Sequence, residues 1–165
     1  ARIAVILNDE RWVPESASRS NTRLLKTRLL RDRAAKATLI PLYAEAPTPE
    51  EKLDQLTAGL DGHLPISVLL LGVGTDMHTA SLFPGADQLE LALSNDAPPL
   101  LAMRASGAAE PRITLTAPVL MAAMNTHVLI TGHAKRAAVE AAQHMTPQEA
   151  PIRAMLPNAK VHWAE

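Results

Sequence analysis

The sequence predicts an α/β fold, a three-layer sandwich built on a mainly parallel sheet. Three observations predict it. Short apolar runs alternate with helix-compatible stretches from one end of the chain to the other, the pattern of strands covered by helices. The run Val68-Leu69-Leu70-Leu71 is apolar at consecutive positions, which suits a strand buried on both faces. No repeat, low-complexity tract or linker interrupts the 165 residues, so one domain over 1–165 is expected, large enough for a substantial core.

Taken in order, residues 2–7 form a first strand ended by Asn8-Asp9. A polar loop then runs through Glu10, Arg11, Trp12 and Pro14 to Ser20-Asn21. Ser20 or Asn21 caps a helix reaching about Lys36, with Leu24, Leu25, Leu29 and Leu30 as its apolar stripe. Residues 38–40 make a second, short strand. Thr48 and Glu51 have capping-box spacing and open a helix that stops near Gly59 or Gly62. The strand at 66–71 breaks at Gly72 and Gly74, after which Thr79 or Ser81 begins a short helix closed by Pro84-Gly85. A helical turn at 87–95 and strands at 100–103 and 111–116 follow. A helix at 118–124, a strand at 127–131 and an Ala-rich helix at 134–144 come next. A helical turn at 151–156 and an edge strand at 161–163 complete the chain. It opens at Ala1, almost directly on a strand, which reads as an interior point of a longer protein.

Composition narrows the function classes. Aromatic residues make up 2% of the chain, so the stacking platforms of single-stranded nucleic-acid binders are not available. A formal charge of −1 gives no general attraction to polyanions or membranes, and an anion site must be local. The chain has no cysteine, hence no disulfide, thiolate metal site or cysteine nucleophile. Its six histidines show no zinc-type spacing with carboxylates, so neither metal nor other cofactor is expected. No apolar run reaches the length of a membrane span. The expectation is a cytoplasmic monomer acting on a small molecule, with no nucleic-acid or membrane partner.

Three strand-to-helix loops carry the chemistry-bearing residues. Asp76 and His78 follow the glycines after the 66–71 strand, at the carboxyl edge where open α/β sheets bind ligands. Asp9, Glu10 and Arg11 follow the first strand, and Gly132, His133 and Lys135 the 127–131 strand. In a parallel sheet such loops share a rim. Lys135 and Arg136 stand in the first turn of a helix, against its dipole, unless an anion sits nearby. From the residues alone, a solvated charged face and a phosphate site are both open readings.

The full string Gly72-Val73-Gly74-Thr75-Asp76-Met77-His78-Thr79-Ala80-Ser81-Leu82-Phe83-Pro84-Gly85 closely resembles the signature of the 6-phosphogluconolactonases, within the wider sugar-phosphate isomerase and glucosamine-6-phosphate deaminase superfamily. Met77 stands where that signature has glycine, which puts the loop under strain if the position needs positive φ. Asp9-Glu10-Arg11-Trp12-Val13-Pro14 with Ser20-Asn21, Pro111-Arg112-Ile113-Thr114-Leu115-Thr116, and Gly132-His133-Ala134-Lys135 are similar to three further family segments, in the family's order. Leu82-Phe83-Pro84 has the lactonase form and lacks the glutamate of the deaminase pattern. The lactonase segment that normally precedes Asp-Glu-Arg, a strand and a Gly-Gly-Ser/Thr phosphate loop, has no counterpart here, so the chain resembles a family domain without its first portion.

The resemblance implies hydrolysis of 6-phosphoglucono-1,5-lactone to 6-phosphogluconate in the pentose phosphate pathway. Imidazole suits general-base activation of water near neutrality, and the role falls to His78. Asp76 or Asp9 orients it. Donors around Gly72 and Gly74 stabilise the oxyanion. Arg11 and Lys135 hold the phosphate, with Arg112 and Asn21 as further substrate-binding candidates. Two alternatives stand beside this: an isomerase or deaminase of the same fold, and a non-catalytic sugar-phosphate-binding module.

Overall fold

The computed structural model describes residues 3–165. Arg2, at the start of the first expected strand, lies outside them. Among the described residues the strands form three small sheets. β1 (Ala4–Ile6) pairs in parallel with β3 (Thr38–Ile40). β4 (Leu69–Leu71), β7 (Thr126–Thr131) and β8 (Ala159–Ala164) form a second parallel sheet with β7 in the middle. β2 (Asp9–Arg11), β6 (Arg112–Leu115) and β5 (Leu100–Met103) form an antiparallel ribbon. The α/β class and the mainly parallel order are as the sequence predicts. The antiparallel ribbon is not, because alternation with helices gives no sign of the direction in which β5 and β6 run.

The helices are α1 (Asn21–Arg28), α2 (Leu53–Ala58), α3 (Leu89–Leu93), α4 (Ala117–Met121) and α5 (His133–Ala142). Four expectations need correction. Asp9-Glu10-Arg11 is a strand held by pairing to Arg112–Thr114, and not part of a loop. α1 closes at Leu29, and residues 32–36 form a separate 3-10 turn entered through Asp32 at φ +50°. Leu24 and Leu29 are more than half exposed (58% and 53%) and so do not form a buried stripe. Thr48 Oγ1 reaches the Glu51 carboxylate at 3.1 Å instead of capping backbone.

The core joins the sheets and helices through Leu42, Leu71, Leu100, Met103, Ile113, Leu115, Leu120, Val128, Ile130 and Ile152, all buried. Trp12 is buried too, its Nε1 donating to the Ala46 carbonyl at 3.0 Å. Apolar burial of this kind contributes roughly 1.5–3 kcal/mol per large side chain. Among the described residues β1 pairs only with β3, and β4 only with β7. Their other edges line one cleft of about 750 Å³. Asn8 Nδ2 bridges its far end by donating to the Leu70 carbonyl at 2.8 Å.

Candidate active site

The loop after β4 is a compact series of turns. Gly74 N–H donates to the His78 carbonyl and Met77 N–H to the Gly74 carbonyl, both at 3.0 Å. This folds Asp76 back on the imidazole, with Oδ1 2.6 Å from His78 Nδ1. A Cβ at Gly74 would collide with the Asp76 carboxylate and the His78 ring, so glycine is needed there for the close approach. A carboxylate only accepts, so Nδ1 carries the hydrogen and the Nε2 lone pair is left free. The His78 side chain is 31% exposed, neither enclosed in the core nor fully solvated.

No helix begins at Thr79 or Ser81, contrary to the sequence expectation: both side chains are buried and act as anchors. Thr79 Oγ1 donates to the Gly72 carbonyl at 2.9 Å. Ser81 Oγ donates to Asp9 Oδ2 at 2.6 Å, and Ser81 N–H to Thr114 Oγ1 at 3.2 Å. The His78 loop is thereby tied to the β2–β6 ribbon. Met77 has φ +67° and Ala80 φ +49°, the left-handed region that side chains disfavour. The expected strain at Met77 is therefore present.

The ribbon brings cations to the same place. Arg11 and Arg112 are direct partners in the β2–β6 register, an arrangement that like charges oppose. Each keeps a buried Nε without a hydrogen-bond partner. Arg112 is almost fully buried, and its nearest carboxylate oxygen, on Asp9, lies 3.8 Å away. Burial, and then the neighbouring Arg11 charge, push its guanidinium below the ordinary value. Burial also raises the Asp9 carboxyl, outweighing the Ser81 hydrogen bond and the two arginines. The Phe83 ring joins the two halves of the site: it packs 4.4 Å from the His78 ring and 5.8 Å from the Arg112 guanidinium carbon.

Of the two candidate partners for His78, Asp76 makes the contact, while Asp9 is engaged with Ser81. Gly72 and Gly74 lie in the loop, but the Gly74 N–H is already committed to the His78 carbonyl. Asn21 Nδ2 donates to the Asp9 carbonyl at 3.0 Å. Arg11 donates to the Arg19 carbonyl at 2.6 Å. Lys135 stands in the first turn of α5, directly after β7 and half-buried, with no ion pair among the described residues. Because β4 and β7 are parallel neighbours, the His78 loop and Lys135 leave the sheet at the same edge.

Sequence reasoning missed the anchoring roles of Glu10 and Ser81 and the packing of Phe83 on His78. Glu10 is fully buried and accepts from the N–H groups of Arg11, Asn21 and Thr22 at 2.8, 2.7 and 2.6 Å, and from Ser20 Oγ at 3.2 Å. For Glu10 the available signal was an acidic residue in the polar stretch between the first strand and the Ser20 cap.

The profile of the family described as glucosamine-6-phosphate isomerases/6-phosphogluconolactonase matches residues 1–163. A 6-phosphogluconolactonase of Rhizobium meliloti is 41% identical over 99% of this chain and 74% of its own length. One from Pseudomonas aeruginosa is 42% identical over 99% of this chain and 70% of its own. The crystal structure of a 6-phosphogluconolactonase from Shewanella baltica superposes with a TM-score of 0.92 at 32% identity, covering 97% of this chain and 71% of that one.

Proposed function

Since this chain belongs to the glucosamine-6-phosphate isomerase/6-phosphogluconolactonase family, we propose that it is a 6-phosphogluconolactonase in which His78 is the general base. The observation that carries the mechanism is the Asp76–His78 contact at 2.6 Å beside two under-neutralised arginines. In this reading Nε2 takes a proton from water as the oxygen attacks C1 of the lactone. Asp76 stabilises the imidazolium that forms. The tetrahedral intermediate collapses with cleavage of the ring C–O bond, and the proton passes from Nε2 to the departing hydroxyl. Arg11 and Lys135 bind the phosphate and fix C1 over the base, with Arg112 adding positive charge from below Phe83.

Phe83 favours this over the deaminase alternative. By the sequence resemblance it stands where the deaminase pattern has its glutamate, and its apolar ring packs 4.4 Å from the His78 ring.

The test is lactone hydrolysis followed against the spontaneous rate. His78→Gln is expected to lower kcat by about 10³-fold, within the range of a positioned general base, with unchanged circular dichroism. Lys135→Ala is expected to raise KM with kcat nearly retained. Undiminished turnover in the His78 variant ends the base assignment, and an unchanged KM in the Lys135 variant ends the phosphate role.

A further inference from the structure

His133, Lys135 and Arg136 stand at the start of α5, whose first turn holds no acidic residue. Trp163, on β8, touches this turn in three ways. Its indole Nε1–H donates to the Gly132 carbonyl at 3.1 Å. The Arg136 guanidinium carbon lies 4.7 Å from the centre of its ring, within cation–π range. The His133 ring packs on the same indole, with centroids 5.6 Å apart and planes tilted by 48°. Gly132 is also held through its own N–H, which donates to the Ala164 carbonyl at 2.8 Å. The chain turns from β7 into α5 at this glycine, with φ +81°, a conformation that glycine adopts without strain.

Helix geometry decides what this clamp does. His133 and Arg136 are three positions apart and share one face of α5, and that face is the one laid on Trp163. Lys135 stands about 100° round the axis from Arg136, off the clamped face. Arg136 is engaged a second time, its Nε donating to Glu140 Oε1 at 2.8 Å. Lys135 is half-buried and has no ion pair among the described residues.

We propose that Trp163 is a positioning residue for substrate binding: its indole fixes the start and the rotation of α5, so that Lys135 and not Arg136 is presented to the phosphate of the lactone. This rests on the phosphate role given to Lys135 above. Trp163 itself does not touch the substrate. Its ring occupies Arg136, and its N–H sets where the helix begins. Thirty-one residues separate it from Gly132, so no spacing motif announces the pairing.

The experiment compares the whole chain with Trp163→Phe, Lys135→Ala and the two combined. It reads Kd for 6-phosphogluconate by calorimetry, and KM and kcat for the lactone. Trp163→Phe keeps a ring and removes the N–H donor. It is expected to raise Kd and KM by about fivefold, the scale of one net hydrogen bond. With kcat kept within about twofold, the loss belongs to binding and not to the chemical step. In the Lys135→Ala background the same substitution is expected to change neither constant, because the side chain it positions is gone. Trp163→Tyr, which lacks the same donor, is expected to behave alike, and circular dichroism verifies that each variant is folded. A role confined to stability lowers Tm and weakens binding equally in both backgrounds. Equal losses in the two backgrounds, or an unchanged Kd in Trp163→Phe, overturn the proposal and leave the role of Lys135 standing. An unchanged Kd in Lys135→Ala removes the phosphate reading and the role of Trp163 with it.

Discussion

Met77 shows how much one residue type decides. Its φ of +67° costs a side-chain-bearing residue about 1–2 kcal/mol, yet its side chain packs against the core and its carbonyl accepts from Ile152 N–H at 3.2 Å. Removing the side chain has opposite effects depending on what replaces it. Met77→Gly loses packing but relieves the backbone, whereas Met77→Ala loses packing and keeps the strain. The glycine variant is therefore expected to be more stable than the alanine variant by about 1 kcal/mol, measured by urea unfolding. Local contacts are the ones sequence spacing can reach: Asp76 and His78, two positions apart, meet at 2.6 Å. The alternative partner was left open because Asp9 is held by Ser81, 72 residues away, and no spacing rule reaches that far.

At the scale of elements, α1 is begun by a residue outside it. Its first N–H groups have no partners within the helix. Ser20 Oγ satisfies one, accepting from Arg23 N–H at 3.1 Å, as its position before the helix predicts. The N–H groups of Asn21 and Thr22 are satisfied by Glu10 from strand β2. Glu10→Ala leaves those donors buried and unpaired. A loss of roughly 2–4 kcal/mol is expected from the several orphaned groups, seen as a lower denaturant midpoint, whereas substitution of the solvated Glu15 is nearly neutral. The same strand explains why 9–11 read as a loop. Three polar residues show no β pattern, and the pairing that makes them a strand comes from Arg112–Thr114, a hundred residues further on. The apolar strands β1, β4, β5 and β7 were legible from composition. Their directions were not, since composition is the same read either way. Burial of β4 on both faces, which its apolar run predicts, is not what the structure has: Leu69 and Leu71 are buried while Leu70 between them is 57% exposed.

For the whole molecule, the Asp9–Ser81 bond joins the antiparallel ribbon to the loop of the parallel sheet, and the burial of Asp9 at that junction sets a pH dependence. Burial raises Asp9 above its ordinary 3.8, so the native state holds the proton more tightly than the unfolded chain. Stability from this group is full below 3.8 and falls as pH rises through the raised native value. Asp9→Asn keeps an oxygen acceptor for Ser81 and removes the ionisation. The variant's stability relative to the parent is expected to increase across that window and hold at neutral pH, measured by unfolding at a series of pH values. A relative stability that declines with rising pH would reverse the assignment.

The cleft between β1 and β4 bears on handling. Among the described residues two rows of amide groups face it without strand partners, and Val68 and Leu70 on its rim are more than half exposed. Such rows are templates for adventitious pairing between molecules. The solubility ceiling of this chain is thus written into its interior strand order, and crowding it in solution draws on the same hydrogen-bonding groups that would otherwise close the sheet.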